Sequence, residues 1–247
     1  MTACIDPSAG SRLLSRSDPS TRLSDYKRAL NFWLSHPDSR ISAIVFVDNS
    51  GYPLSGLSDW LGSFSDAKRP VEFLSFSGNA YPAGTDYGYA ELGIIDYALA
   101  CSELLQASTH FLKATGRLTF HSISRLLDHL PGELYFAVDC RRNALFVPSP
   151  QAFVTSQLML FETAFYCTHL LGIRSLMPEC GTGVEDLFYK KLLPFHRLPG
   201  CLLRWPVNVE IRGVAAHFAG KRYDSPRQRF ISLLRAILRR MAPWWWF

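Results

Sequence analysis

Short apolar runs of strand character alternate along this chain with segments in which apolar residues recur every three to four positions. The strand-like runs are residues 41–47 (ISAIVFV), 71–76 (VEFLSF), 109–114 (THFLKA) and 133–138 (ELYFAV). The helical pattern covers residues 25–35, 90–107 and 151–171. This alternation predicts an α/β fold, with a mostly parallel central sheet flanked by helices in a single domain.

The length and composition fit one such domain with a tail. The 247 residues are 48% hydrophobic and 19% charged, which allows one sizeable core and excludes a largely disordered chain. The serine-rich start has no apolar signal segment, so residues 1–24 are expected to form a flexible leader. Residues 25–223 are expected to form the domain, and residues 224–247 a basic tail. The cysteines have no paired spacing, which favours a reduced, cytoplasmic protein.

The positive charge of the chain is concentrated at its C-terminal end. The net charge is +5, and residues 221–247 hold seven basic side chains and one acid, so the remainder is close to neutral. A generally basic surface for nucleic acid is therefore disfavoured. Within this segment, residues 230–241 place apolar side chains on one helical face and arginines on the other.

Tryptophans follow this amphipathic helix at the end of the chain. Tryptophan prefers the headgroup region of membranes, and a cationic amphipathic helix lies in the membrane plane. The residues expected to meet a membrane surface are Arg235, Arg239, Arg240, Trp244, Trp245 and Trp246. The alternative is a helix that packs on the core of the domain.

Polar residues follow three of the predicted strands, and in a parallel sheet ligands bind beyond the carboxyl ends of the strands. These candidates are Asp48, Asn49 and Ser50, then Lys113, Thr115, Gly116 and Arg117, then Asp139 and Arg141. The first group can hold a ribose or a base edge, or form an Asx turn. The two cations of the second group can neutralise a diphosphate as a divalent metal would, or lie in a solvated turn. The third group can instead be an ion pair that fixes its turn.

Two further segments place chemistry at helix starts. Residues 84–91 (GTDYGYAE), with Gly88 and Glu91, can present backbone N–H groups to a phosphate or cap the helix. Glu185 and Asp186 open another predicted helix, where acids either compensate the helix dipole or act as a general base. The P-loop, G-x-G-x-x-G, H-E-x-x-H and G-x-S-x-G motifs are missing from the sequence. The usual NTPase, dehydrogenase, zinc hydrolase and serine esterase layouts are therefore disfavoured.

Five segments in this order resemble a bacterial family of GT-A-like glycosyltransferases of capsule and lipopolysaccharide biosynthesis. They are VFVDNSGYPLSGL (45–57), VEFLSFSGNA (71–80), DYGYAE (86–91), FLKATGRL (111–118) and GVEDLFYKKL (183–192). The resemblance covers most of residues 25–223. It implies a nucleotide-sugar donor held across the strand ends and a glycan or lipid-linked acceptor. With its C-terminal tail on a membrane surface, such an enzyme is expected to be peripheral on the inner face of the cytoplasmic membrane.

The resemblance assigns roles to individual residues. It implies that residues 48–50 lie near the nucleotide, and that Glu185 or Asp186 is the base of an inverting transfer. GT-A enzymes usually carry an Asp-any-Asp metal motif where this chain has residues 113–117, and no two aspartates of the chain are spaced in that way. This departure favours a site without Mg²⁺ or Mn²⁺ and with no required cofactor. Asp86 is a second departure, since the family more often has a basic residue in that segment.

Two other interpretations stay open from the sequence alone. One is a membrane-associated interaction protein that keeps the fold without the chemistry. The other is a nucleotidyltransferase, which would need a metal-binding pair of acids. The co-occurrence of Lys113, Arg117, Asp139, Glu185 and Asp186 at predicted element ends favours the glycosyltransferase.

Overall fold

The computed structural model of the chain describes residues 1–7, 16–62, 69–142, 152–215 and 222–241. Its strands are β1 (Thr2–Ala3), β2 (Ile44–Asp48), β3 (Val71–Ser75), β4 (His110–Ala114), β5 (Thr119–Phe120), β6 (Phe136–Ala137), β7 (Cys140–Arg142), β8 (Ala152–Val154), β9 (Leu158–Glu162), β10 (Cys201–Leu202) and β11 (Ile211–Arg212). Its α-helices are α1 (Pro19–Leu34), α2 (Ser55–Gly62), α3 (Tyr87–Cys101), α4 (Glu103–Gln106), α5 (Ile123–Leu127), α6 (Thr163–His169), α7 (Met177–Cys180), α8 (Val184–Leu192) and α9 (Pro226–Met241). Short 3-10 helices occupy Ile173–Leu176 and Leu193–Phe195.

The first sheet is parallel and has the order β1-β2-β3. Its register pairs Phe46 with Phe73, whose ring centroids are 5.8 Å apart. Phe46 is fully buried, because β2 is the central strand. Parallel neighbours need a crossover connection, and α2 lies in the connection between β2 and β3. The predicted α/β class is therefore confirmed.

The second sheet is mixed. Its order is β10-β6-β9-β4, with β9 antiparallel to both of its neighbours and β10 parallel to β6. An isolated parallel bridge joins Thr2 to Thr115, at the edge where the two sheets meet. Two small antiparallel pairs, β7–β8 and β5–β11, complete the strand pairing of the described residues. The structure thus differs from the expected single sheet, since it has a parallel sheet of three strands and a mixed sheet of four.

The predicted helix over residues 151–171 is wrong. Its first part forms β8 and β9, with Thr155 and Ser156 in the turn between them, and α6 is the helical part. Leu158 and Phe161 are fully buried, because β9 lies between β4 and β6. An apolar run that is buried on both faces has no periodicity that separates strand from helix. The pairing with β4 and β6 therefore decides the conformation of this segment.

The first helix begins earlier than the predicted start at residue 25. The Asp18 carboxylate accepts a hydrogen bond from the Thr21 N–H at 2.7 Å, and Pro19 fits the first helical turn, where no N–H partner is needed. One face of α1 buries Leu30 and Trp33 in the core. The cap and the proline fix where this helix starts.

The start of the chain differs from the expected flexible leader. β1 pairs with β2, and the fully buried Ile5 donates its N–H to the Asp48 carboxylate. A Cβ atom added to Gly116 would lie 2.7 Å from the Thr2 carbonyl oxygen, so glycine lets the turn after β4 approach β1. Residues 1–7 are therefore part of the domain.

Candidate functional site

One cavity of about 580 Å³ opens where strand ends of the two sheets come together. The predicted site residues that line it are Asn49, Glu91, Thr115, Arg117, Arg141, Glu185 and Arg235. The described ones outside its lining are Asp48, Ser50, Gly88, Lys113, Gly116, Asp139, Asp186, Arg239 and Arg240. The structure therefore brings part of each predicted group to one place and gives the other part a different task.

Asp48 closes a turn. Its buried carboxylate accepts hydrogen bonds from the Ile5 N–H at 2.6 Å, from the Ser50 hydroxyl at 2.7 Å and N–H at 2.9 Å, and from the Tyr52 N–H at 3.2 Å. Asn49 is the member of this group that lines the cavity, and its buried Oδ1 atom has no hydrogen-bond partner among the described residues. The Asx-turn interpretation thus describes Asp48 and Ser50, while Asn49 stays a candidate for ligand binding.

The start of α3 is closed by the carboxylate of Asp86. This carboxylate accepts a hydrogen bond from the Gly88 N–H at 2.8 Å, the backbone group expected to meet a phosphate. A Cβ atom on Gly88 would lie 2.5 Å from Val184, so glycine lets the starts of α3 and α8 pack together. Burial raises the pKa of Asp86. Packing of two helix starts therefore accounts for Gly88.

Lys113 is held inside the domain by Glu91. Its Nζ atom lies 2.5 Å from Oε1 of Glu91 and also donates to the Ser156 carbonyl oxygen. The Lys113 side chain is 1% exposed, and the Thr2 hydroxyl donates to the same Glu91 oxygen at 3.4 Å. This arrangement differs from the predicted diphosphate contact. The charge of Lys113 is neutralised by an acid on α3 that the sequence pattern did not connect to it.

The turn after β4 brings Thr115 and Arg117 to the cavity. Gly116 lies between them and donates its N–H to the Thr2 carbonyl oxygen at 2.9 Å. Arg117 donates a guanidinium N–H to the Val214 carbonyl oxygen at 2.8 Å, which fixes the position of that group. Of the two cations predicted in this turn, Arg117 is therefore the one that lines the cavity.

Asp139 is the buried centre of an ion-pair network. Its Oδ2 atom lies 2.9 Å from Nε of Arg141, and its Oδ1 atom accepts a hydrogen bond from Arg239 on α9. Burial alone would raise the pKa of Asp139, but the guanidinium groups of Arg141 and Arg239 hold it below its usual value. The interpretation of this turn as an ion pair thus describes Asp139, and Arg141 is the member that lines the cavity.

Glu185 is the acid best placed to act as a base. It lies in the first turn of α8 and lines the cavity, whereas its neighbour Asp186 is outside the lining. Ser156 donates its N–H at 3.3 Å and its hydroxyl at 3.2 Å to Oε1 of Glu185. Burial raises the pKa of Glu185, although the hydrogen bonds from Ser156 act to lower it. A carboxylate with a raised pKa is a stronger base than an ordinary glutamate.

The polar cavity residues that the sequence predictions missed include Thr155, Gln157 and Tyr223. The Oγ1 atom of Thr155 is buried and has no hydrogen-bond partner among the described residues. Burial raises the pKa of Tyr223. The polar triplet 155–157 inside an apolar run was a signal of a turn, but nothing local marks Tyr223 as a cavity residue.

The helix α9 is amphipathic as predicted, and its arginine face points toward the domain. Arg235 lines the cavity, and Arg239, with a side chain that is 6% exposed, donates to the Trp205 carbonyl oxygen at 2.5 Å. The prediction that these two side chains meet a membrane surface therefore differs from the structure, because the buried carboxylate of Asp139 holds Arg239 against the domain.

The apolar face of α9 points outward. Its most exposed side chains are Phe230 (67%), Leu233 (59%), Ile237 (45%) and Met241 (74%). Arg240 is also exposed. Trp244, Trp245 and Trp246 lie outside the described residues. No helix in the described part of the chain is both long enough and apolar enough to cross a bilayer.

The cavity combines the carboxylate of Glu185 from α8 with guanidinium groups from the turn after β4, from β7 and from α9. Its other charged lining residues are Arg22, Glu91, Glu210, Asp224 and Arg229. Within the described ranges, no three side chains of histidine, cysteine, aspartate or glutamate converge in a way that could hold a metal ion. Comparison of the chain with protein-family models, with curated proteins and with solved structures gave no match in any of the three.

Proposed function

We propose that this protein is a glycosyltransferase. It would move a sugar from a nucleotide-sugar donor to a hydroxyl group of a glycan or lipid-linked acceptor in bacterial surface polysaccharide synthesis. The observation that carries the proposal is the composition of the cavity, in which Glu185 shares one space with Arg117 and Arg141. A base for the acceptor and cations for a departing diphosphate are the groups that such a transfer requires.

The strand pairing supports the proposal. If the bridge between Thr2 and Thr115 is counted as an edge contact, the two sheets follow one another in the order β3-β2-β1-β4-β9-β6-β10. Among these strands, β9 alone runs against the others. The common direction of the other six strands and a cavity at strand ends are compatible with the GT-A-like fold that the sequence resemblance implies.

Glu185 acts on the acceptor in the proposed reaction. Its carboxylate removes the proton of the acceptor hydroxyl, and the oxygen forms a bond to the anomeric carbon of the donor. The bond from that carbon to the diphosphate oxygen breaks, and its electron pair leaves with the nucleoside diphosphate. The proton stays on Glu185 until it passes to water. A single displacement of this kind inverts the anomeric configuration.

Arg117 and Arg141 stabilise the leaving group in the proposed reaction. A guanidinium group donates paired hydrogen bonds to phosphate oxygens and stays charged at neutral pH. These two side chains line the cavity from different elements, so they can approach a diphosphate from two sides. Together with the missing Asp-any-Asp motif in the sequence, they favour a transfer that proceeds without Mg²⁺ or Mn²⁺.

The outward face of α9 supports a location on the inner face of the cytoplasmic membrane. Its exposed apolar side chains lie along one side of the helix, and the exposed Arg240 can meet anionic lipid headgroups. In the sequence the helix is followed, after Ala242 and Pro243, by the tryptophans of residues 244–246, which favour the headgroup region. The occupant proposed for this face is therefore a lipid bilayer surface.

A thermal-shift screen tests the proposed activity. The protein is heated with UDP-, GDP-, dTDP-, CMP- and ADP-sugars and with nucleoside triphosphates, each with EDTA and with Mn²⁺, because a ligand of the native state raises Tm by mass action. Stabilisation by one nucleotide family in EDTA is expected. Stabilisation only with Mn²⁺ would contradict the metal-independent site, and stabilisation by nucleoside triphosphates alone would favour a nucleotidyltransferase. With no response to any ligand, a non-catalytic interaction protein becomes the better interpretation.

A further inference from the structure

The cavity wall formed by α9 carries a cluster of arginines around one buried carboxylate. Asp139 is the acid in this cluster, and its charge acts on guanidinium groups from four positions. These groups belong to Arg141, Arg204, Arg235 and Arg239. Burial and the neighbouring charge of Arg239 lower the pKa of Arg204. Positive charge at this wall therefore exceeds the negative charge of Asp139.

Arg235 carries part of this excess to the cavity itself. It lines the cavity from α9, and burial, followed by the charge of Arg141, lowers its pKa to about 10. Residues 225–247 contain no acid, so α9 brings no carboxylate of its own. Arg235 therefore brings a guanidinium group to the cavity, and its helix adds no acid beside it.

We propose that Arg235, with Arg117 and Arg141, binds the diphosphate group of the nucleotide-sugar donor, so that α9 forms one wall of the donor site. This inference rests on the proposed function. Arg235 lies on α9, Arg117 lies in the turn after β4, and Arg141 lies on β7. All three line one cavity. Guanidinium groups brought to one cavity from three separate elements suit a ligand with two linked phosphates.

Arg239 is the positioning residue of this arrangement. It lies four residues after Arg235, about one helical turn along α9. It donates to the Asp139 carboxylate and to the Trp205 carbonyl oxygen. These contacts hold α9 against the end of the second sheet, and they leave Arg235 at the cavity.

The assignment of Arg235 to the donor site also identifies the cation that takes the role expected of Lys113. The Lys113 side chain is buried against Glu91, so it does not line the cavity. Arg235 adds the positive charge that the sequence analysis expected from Lys113, but from the far end of the chain. The helix α9 then has two tasks on opposite faces, with a lipid surface outside and a diphosphate inside.

Calorimetric titration of the full chain tests the subsite. The probes are inorganic pyrophosphate, UDP, GDP and farnesyl diphosphate, at fixed ionic strength. Arg235→Gln removes the charge, and Arg227→Gln removes an exposed charge from the same helix as a matched control. Arg235→Gln should weaken the binding of pyrophosphate and of the preferred nucleotide about 10- to 100-fold. Arg227→Gln should change it less than about threefold, and Arg235→Lys should recover part of the loss.

The outcomes separate this inference from the proposed function. Equal affinities of wild type and Arg235→Gln for a nucleotide would overturn the subsite and leave the glycosyltransferase intact. Pyrophosphate binding that needs Arg235, in a protein that binds no nucleotide, would support the anion subsite and overturn the glycosyltransferase. A loss confined to farnesyl diphosphate would overturn the donor assignment, because the diphosphate would then belong to a lipid-linked acceptor. Should Arg235→Gln fail to fold, Arg235→Lys and its affinity carry the same test.

Discussion

Lys113 and Arg235 are both cations beside the same cavity, but their surroundings differ. The Lys113 side chain is 1% exposed and lies 2.5 Å from the carboxylate of Glu91, so its charge is neutralised inside the domain. Arg235 shares the carboxylate of Asp139 with other arginines and lines the cavity. The first charge stabilises the fold, and the second faces the space where a ligand would bind. A cation near a site is therefore interpretable only once its acid partner is known.

The largest effect is expected at Glu185, and it tests whether the residues that line the cavity catalyse the reaction. Glu185→Gln keeps the size of the side chain but removes the base, so kcat should fall about 10²- to 10⁴-fold without loss of stability. Burial raises the pKa of Glu185 above its ordinary 4.5. Wild-type activity should therefore fall as the pH drops through that raised value, and the variant should lack this step.

Glycosyl transfer measured against pH checks this prediction. Glu179→Gln changes an exposed acid on α7 outside the cavity lining and is the matched control. It should keep the wild-type rate and pH profile. An unchanged kcat in Glu185→Gln would exclude this residue as the base.

The next effect concerns the buried pair. Lys113→Met leaves the Glu91 carboxylate without its cation and should lower the free energy of unfolding by about 3–5 kcal/mol, measured in urea. Adding Glu91→Gln to Lys113→Met should recover part of this loss, because the unpaired charge is then removed. Lys190→Met, at an exposed position on α8, is the control. If Lys113→Met kept the wild-type stability but bound nucleotides more weakly, Lys113 would be a ligand-binding residue and its pair with Glu91 would not stabilise the fold.

The sequence predicted the parts of this fold that depend on local pattern. The runs that became β2, β3 and β4 carry strand residues and end in polar turns, so each could be placed from its own residues. The segment that contains β9 could not, because a run covered on both faces loses its periodicity. β1 is two residues long, which is too short for any pattern.

The candidate site was predictable where a residue acts alone, and not where it acts through a distant partner. Glu185 and Arg117 were found from helix-start and strand-end position, and both line the cavity. Lys113 could not be assigned correctly because Glu91 reaches it from another element. The orientation of α9 was hidden for the same reason, since amphipathicity defines two faces and only the contact of Arg239 with Asp139 decides which one turns inward.

A smaller effect is expected at Asp139, where the arginines would lose their common partner. Asp139→Asn should lower the free energy of unfolding by about 1.5–3 kcal/mol at neutral pH. The folded-state pKa of Asp139 lies below its usual value. Its ion pairs therefore stabilise the fold above about pH 4, the usual range of an aspartate in an unfolded chain, and lose this effect as the pH falls below it.

Urea unfolding at several pH values checks the prediction for Asp139. The difference between wild type and Asp139→Asn should be full above about pH 4 and shrink below it. Asp128→Asn, which removes an exposed partner of Arg40, is the control and should cost less than about 1 kcal/mol. A difference that stays constant down to low pH would mean that the charge of Asp139 is not what holds the arginines.

The smallest effect is expected on the outer face of α9, and it tests whether the two faces have separate tasks. Ile237→Asn should weaken co-sedimentation with vesicles that contain anionic lipid about tenfold, since one apolar side chain no longer enters the interface. Ala236→Asn changes the adjacent exposed residue and should have a smaller effect, because Ala236 lies off the apolar face by helical geometry. Arg235→Gln should leave vesicle binding unchanged, because its side chain faces the cavity. If Arg235→Gln instead weakened vesicle binding as much as Ile237→Asn, the arginine face would have to meet the lipid, and the distinction between the two faces of α9 would fail.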